Sequence, residues 1–202
     1  MTKIKFCGMM NPPDVIAACQ LGADYIGFIL SQGFRRSVVL GTFCELVSYL
    51  DDHNADVKKV GVFVNEPMEN ILEYYAEMLD IIQLHGDEDG AYIKKLRQLT
   101  GKPVIKTFTV TSEQDIQLAH KSSADYVLLD SGKGTGKTFD HTLIKDLDRP
   151  FFLAGGLTAE NVGDAIKKLR PFAVDASSSL ETNGKKDKTK MAAFAAAVRK
   201  VG

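Results

Sequence analysis

The chain has 202 residues, 45% hydrophobic and 25% charged, which is the profile of a folded globular protein with one sizeable core and excludes a disordered one. Its 25 Lys and Arg against 26 Asp and Glu give a formal net charge of -1, so no basic excess exists to neutralise a phosphate backbone, and nucleic acid is not an expected partner. The apolar runs at 25–30 and 192–198 fall well short of the roughly 18 residues a membrane span needs. With no apolar N-terminal stretch long enough for a secretion signal either, the expectation is a cytoplasmic protein with no membrane partner.

In chain order, β-branched and aromatic runs predict strands over 4–6, 25–30, 59–64, 81–84, 104–107, 126–129, 151–154 and 173–174. Segments with helical spacing follow them over 13–21, 42–50, 68–78, 91–99, 113–120, 138–147, 159–169 and 188–201. Asn11-Pro12-Pro13-Asp14 marks the first helix start, and Thr158 is the expected N-cap of the seventh helix. Strict alternation argues for a parallel sheet with helices outside it. An open doubly wound sheet uses the same elements, but eight units of about 25 residues each closing on themselves favour a (β/α)8 TIM barrel. No linker or composition shift divides the chain, so residues 1–202 read as a single catalytic domain.

The three cysteines, Cys7, Cys19 and Cys44, are odd in number and lack metal-ligand spacing, and no His-Glu-x-x-His occurs, so neither a disulfide framework nor a metal site is expected. Cys19 and Cys44 fall in helical stretches and read as small hydrophobes. Cys7 closes the first strand. Asn65 closes the third, His85 the fourth, Lys106 the fifth, Asp130 the sixth, Gly155-Gly156 the seventh, and Asp175 with Ser177-Ser178 the eighth. In a barrel these ends share one face, the face that carries catalysis.

Taken singly, each has a bland reading. His85 suits a backbone-bonded core residue equally well, Asn65 a strand fastener, Arg35-Arg36 and the lysine-rich 185–190 solvated surface, and Phe108 the core. Glycine- and hydroxyl-rich stretches lie at 132–138, 154–157 and 175–179; glycine lets backbone N–H groups approach an anion closely, which favours phosphate at Gly155-Gly156 beside Ser177-Ser178, whereas 132–138 alone suits an ordinary tight turn better. Gly136-Lys137-Thr138 resembles the end of a P-loop, but that motif needs glycine at position 131, where Ser131 stands.

Together these residues resemble the phosphoribosylanthranilate isomerases of tryptophan biosynthesis. The likeness runs through Lys5-Phe6-Cys7-Gly8, Gly22-Ala23-Asp24-Tyr25-Ile26-Gly27-Phe28, Gly61-Val62-Phe63-Val64-Asn65 and Gln83-Leu84-His85-Gly86-Asp87-Glu88. It continues in Leu129-Asp130-Ser131, Gly134-Thr135-Gly136-Lys137-Thr138-Phe139-Asp140, Leu153-Ala154-Gly155-Gly156-Leu157 and Val174-Asp175-Ala176-Ser177-Ser178, so it covers essentially the whole chain.

The resemblance implies an Amadori rearrangement of N-(5'-phosphoribosyl)anthranilate, without metal or cofactor, with Cys7 as general base and Asp130 as general acid. It implies Arg36, His85 and Asp175 near the substrate, and it adds Phe108 to the anthranilate pocket and Lys106 to the substrate contacts. Phosphate is expected at Gly134, Thr135, Gly136, Gly155, Gly156, Ser177 and Ser178. A free thiol is only a few per cent ionised at neutral pH, so positive potential from Lys5 or Lys106 is expected to lower the Cys7 pKa.

The chain departs from the family pattern at Phe34-Arg35, where Ser-Pro is common, at Ser179, where glycine is usual, and at Asn183, where proline is common. Two alternatives stand beside this reading: an isomerase for another phosphorylated aminosugar, and a non-catalytic barrel that binds a sugar phosphate. Cys7 argues against the analogous histidine-pathway isomerase, which carries aspartate there. No apolar stripe demands a partner chain, so a monomer is expected.

Overall fold

The computed structural model describes residues 1–53, 55–130, 144 and 147–201. Eight parallel strands close into a barrel: β1 (Lys3–Cys7), β2 (Tyr25–Ile29), β3 (Lys58–Phe63), β4 (Ile81–Leu84), β5 (Val104–Thr109), β6 (Tyr126–Asp130), β7 (Phe151–Ala154) and β8 (Ala173–Ala176). Each strand pairs with the next, and β8 returns to β1 with Lys5 opposite Asp175. The helices between them are α1 (Pro12–Gln20), α2 (Leu40–Asp52), α3 (Met68–Tyr74), α4 (Gly90–Thr100), α5 (Glu113–Lys121), α6 (Val162–Leu169) and α7 (Lys188–Arg199). After β8 a two-stranded antiparallel hairpin, β9 (Glu181–Thr182) and β10 (Lys185–Lys186), precedes α7.

Local chemistry sets the helix starts. Asn11 caps α1 by accepting from the Asp14 N–H at 3.1 Å, with Pro12 and Pro13 where a free N–H is not needed. Asp89 and Asp187 do the same for α4 and α7, and Ser112 with Asp115 forms a capping box at α5. Two expectations change. The helix expected over 68–78 breaks at Tyr75 and resumes as a 3-10 turn, Ala76–Met78. Thr158 leads a turn rather than the helix: its N–H donates to Asn161 Oδ1, and α6 starts at Val162. Of the helix expected over 138–147, all but Ile144 and Leu147 lies outside the described residues.

Strand alternation sorts the core into two shells. Tyr25, Val60, Ile81, Ile105, Leu128, Phe152 and Ala173 fill the barrel's lower interior. Residues of the opposite parity, among them Phe6, Ile26, Phe63, Leu84, Val127, Leu129 and Val174, pack outward against the helices. One hydrogen bond recurs beneath the barrel. Asp24, Asp80 and Asp125, each just before an even-numbered strand, accept at 2.8 Å from the N–H of Ile4, Lys59 and Val104 on the strand before. Ala-Asp-Tyr thus opens both β2 and β6, halfway around the barrel from each other.

Candidate active site

Above the apolar layer the inward-facing positions turn polar. Lys5 and Cys7 share a parity on β1, as do Gln83 and Ile81 on β4, Thr107 and Ile105 on β5, Asp130 and Leu128 on β6, and Asp175 and Ala173 on β8. The strands' C-terminal ends therefore form a polar chamber on a greasy floor.

Lys5 anchors one wall. Its side chain is 0% exposed, and its Nζ donates to Asp175 Oδ2 at 3.1 Å. Asp175 Oδ1 is buried without a hydrogen-bond partner among the described residues. Burial alone would lower the Lys5 pKa, but Asp175 and the Cys7 thiol outweigh it and raise it. Gly27 on β2 makes room for the pair, since a β-carbon there would lie 2.8 Å from Cys7 Sγ and 3.1 Å from Lys5 Nζ. The Cys7 thiol is pushed up by burial; Lys5 and Lys186 pull it down, and the neighbouring Asp175 adds to the rise. The expected net lowering is thus overturned: desolvation exceeds the two ammonium charges, and Lys106 is not among the groups that act on the thiol.

Across the chamber, Gln83 Nε2 approaches His85 Nδ1 at 3.4 Å and donates to Thr107 Oγ1 at 3.3 Å. His85 follows β4 and opens to solvent on the chamber side; desolvation by the chamber walls lowers its pKa, while Asp130 and Asp175 oppose that shift. Asp130 ends β6 within electrostatic reach of this ring.

The β2–α2 loop supplies the arginines. Arg36 is drawn in, with 18% of its side chain exposed against 54% for Arg35. Its Nε donates to Glu181 Oε1 at 2.5 Å, and neither Nη nitrogen has a hydrogen-bond partner among the described residues. Its aliphatic stem crosses Gly8, where a β-carbon would come within 2.6 Å of Arg36 Cδ and φ is 76°. Arg35 points outward, from Glu181 Oε2 at 2.6 Å to the Gly184 carbonyl at 3.4 Å.

Glu181 and Lys186 were not singled out from the sequence. They face each other across the hairpin, turned by Asn183-Gly184 with φ of 52° and 77°. Lys186, expected to be solvated, has only 2% of its side chain exposed. Its Nζ donates to the Ser177 carbonyl at 3.0 Å and to Glu181 Oε1 at 3.3 Å, while Ser177 Oγ donates to the Cys7 carbonyl at 2.9 Å.

Two expected site residues move away. β5 continues to Thr109, so Lys106 does not close it and instead lies on the outward parity beside Leu84. Its Nζ bonds Glu88 Oε2 at 2.9 Å and the Gly86 carbonyl, in the wall of the β4–α4 loop. Phe108 shares that parity, paired with Leu129, and packs on the outer core. Asn65, in left-handed backbone at φ 50°, fastens the end of β3 by exchanging bonds with Asp87.

At the neighbouring strand ends, Gly155 and Gly156 have φ of 92° and 63°, and Ser177 and Ser178 lead into the 3-10 turn Ser178–Leu180. Ser179 sits in that turn without left-handed backbone. Gly134, Thr135 and Gly136 lie outside the described residues. Among the described residues no cluster of three His, Cys, Asp or Glu is placed to hold a metal ion.

The family model of N-(5'-phosphoribosyl)anthranilate (PRA) isomerase matches residues 4–197. The chain belongs to that family. An N-(5'-phosphoribosyl)anthranilate isomerase from Endomicrobium trichonymphae is 40% identical over 197 residues, 95% of each chain. The crystal structure of monomers generated from the dimeric phosphoribosylanthranilate isomerase of Thermotoga maritima superposes with a TM-score of 0.87 at 35% identity, covering 99% of this chain and 100% of that one. A phosphoribosyl anthranilate isomerase in complex with reduced 1-(o-carboxyphenylamino)-1-deoxyribulose 5-phosphate gives 0.87 at 34% identity, with coverage of 99% and 100%. Within the PRA isomerase family framework, Cys7 and Asp130 stand three strand positions apart around the rim, β1 and β6 being separated by β8 and β7.

Proposed function

We infer that this chain isomerises N-(5'-phosphoribosyl)anthranilate to 1-(2-carboxyphenylamino)-1-deoxyribulose 5-phosphate, a step of tryptophan biosynthesis, by general acid–base catalysis. The observation that carries the roles is the inward pair of strand-end groups, a thiol beside a buried ammonium on β1 and a carboxyl on β6. Ring opening needs a proton on the ribose ring oxygen, which Asp130 supplies. The resulting Schiff base loses its C2′ proton to the Cys7 thiolate, and the enol so formed becomes the ketose. Lys5 and Lys186 stabilise that thiolate, so the burial that raises the Cys7 pKa also makes it a strong base once formed.

Arg36 meets the substrate carboxylate. His85 and Asp175 border the sugar, and the backbone at Gly155, Gly156, Ser177 and Ser178, with Gly134, Thr135 and Gly136, takes the phosphate. The ligand is a small phosphorylated molecule. The chain acts as one domain, as a monomer and in the cytoplasm. Light scattering of the purified protein tests the monomer.

The deciding experiment follows the loss of phosphoribosylanthranilate fluorescence, in the presence of a chelator, for the parent, Cys7→Ala and Asp130→Asn. Rapid loss in the parent and a fall of about 10²–10⁴-fold in each variant support the acid–base pair. Activity surviving Cys7→Ala removes the base. A folded parent with no activity points instead to a sugar-phosphate-binding barrel.

A further inference from the structure

The hairpin after β8 contributes a buried carboxylate that the acid–base chemistry does not use. Glu181 has 7% of its side chain exposed and three cationic partners: Arg36 at 2.5 Å, Arg35 at 2.6 Å and Lys186 at 3.3 Å. If the cluster served only to fasten the hairpin to the β2–α2 loop, Arg35 would suffice, because it spans from Glu181 Oε2 to the Gly184 carbonyl at the surface. Arg36 is arranged differently. Its stem lies over Gly8, next to Cys7, in space that a β-carbon would close. Glu181 grips it by Nε alone, leaving the Nη edge of the guanidinium without a described partner.

Resting on the isomerase reading above, we propose that Glu181 is a positioning residue for aryl-carboxylate recognition: it fixes Arg36 by Nε and turns the paired Nη donors toward the carboxylate of the anthranilate ring. An arginine side chain carries much rotamer freedom, and a guanidinium already held in one pose binds a planar carboxylate with less ordering cost. Lys186 completes the device, holding Glu181 Oε1 from one side and the Ser177 carbonyl from the other. Burial would raise the Glu181 pKa, but its bonds to Arg36 and Arg35 and the charge of Lys186 hold it below the ordinary carboxylate range, so the grip is ionic at neutral pH.

The test compares phosphoribosylanthranilate with its decarboxylated analogue, phosphoribosylaniline, by steady-state kinetics on the full chain. Glu181→Ala is expected to raise KM for the carboxylated substrate about tenfold, with kcat and the KM for the analogue nearly unchanged. Glu181→Gln, which keeps an oxygen acceptor for Arg36 Nε, recovers part of that loss and serves if the alanine variant folds poorly. Adding Arg36→Met to Glu181→Ala is expected to cost less than the two changes measured separately, since both act on one contact. Arg35→Ala lowers the melting temperature and leaves the substrate preference intact.

A KM that rises equally for both substrates, or for neither, overturns the positioning role and reduces the cluster to a fastener. A parent that converts phosphoribosylanthranilate without preferring it over the aniline analogue overturns the role while leaving the isomerase reading in place. A folded parent inert toward both compounds overturns the isomerase reading itself.

Discussion

Two of the buried lysine–carboxylate pairs on this rim of the barrel, Lys106–Glu88 and Lys5–Asp175, behave differently. On the β3–β5 side, Lys106 and Glu88 spend their bonding capacity on each other and on the backbone: Glu88 accepts from the N–H groups of Asn65 at 2.8 Å and Gly86 at 3.0 Å, and Lys106 reaches the Gly86 carbonyl. On the β1–β8 side, Lys5 and Asp175 keep capacity in reserve. Asp175 Oδ1 has no partner among the described residues, and the Lys5 ammonium is shared with the Cys7 thiol. Both pairs incur the desolvation cost of buried charge. A saturated pair returns it as loop geometry, whereas an unsaturated pair holds polar atoms ready for something that is not protein.

The contrast predicts opposite mutational signatures. The largest effect is expected from Lys106→Met, which leaves the Glu88 carboxylate buried without its counter-charge. It should cost about 3–5 kcal/mol of stability, lowering the melting temperature by about 10 °C or more in calorimetry, with kcat of the folded fraction little changed. Lys5→Met also weakens the fold, but its signature is chemical. The rising limb of the kcat/KM–pH profile, which the proposed mechanism assigns to the Cys7 thiol, should move further up in pH, and alkylation of Cys7 by iodoacetamide at neutral pH should slow about tenfold. Unchanged alkylation would make the two lysines equivalent scaffolding. Smaller still is Gly27→Ala, whose new methyl presses on Cys7 Sγ and Lys5 Nζ. Overpacking of this kind costs about 1–3 kcal/mol, and here the loss should fall on kcat more than on KM.

The barrel was legible because alternation of apolar strands with capped helices is a local property. The runs at 4–6 and 81–84 match β1 and β4 to within two residues, and Asn11 caps α1 as its spacing suggests. The inward placement of Cys7 and Asp130 was legible for a related reason: a polar residue at the last position of an apolar strand points at the mouth when it shares parity with the inner layer. The direction of Lys106 and Phe108 was harder to read, because parity, not proximity to the strand end, decides it. With Ile105 facing inward and the strand running on to Thr109, both must face the helices, and a count by twos from Ile105 finds this.

The Glu181–Lys186 hairpin had its own signal, the Asn183-Gly184 pair of a two-residue turn. It was obscured by the lysine-rich run that follows, which resembles solvated surface until pairing brings Lys186 under Glu181. No pattern along the chain announces that Arg36 will be gripped by a carboxylate 145 residues away, since that contact exists only once β8 closes against β1.

The smallest expected effect uses pH to separate the two ends of this charged wall. Burial opposes ionisation of Glu181, but Arg36, Arg35 and Lys186 hold its folded pKa below the ordinary value. Its contribution to stability is then complete above about pH 4.3 and is lost as pH falls through the folded pKa. Lys5 has the opposite sign. Burial opposes its charge, but Asp175 and Cys7 raise its folded pKa, so its contribution is complete below about pH 10.4 and is lost as pH rises beyond that. Urea unfolding of the parent and of Glu181→Gln across about pH 3 to 12 should show a stability gap at neutral pH that closes only on the acid side. The gap for Lys5→Met should close only on the alkaline side. Two gaps closing on the same side would mean that the carboxylate and the ammonium titrate as one network, and the hairpin would then belong with the Lys5–Asp175 pair rather than standing apart as the element that holds Arg36.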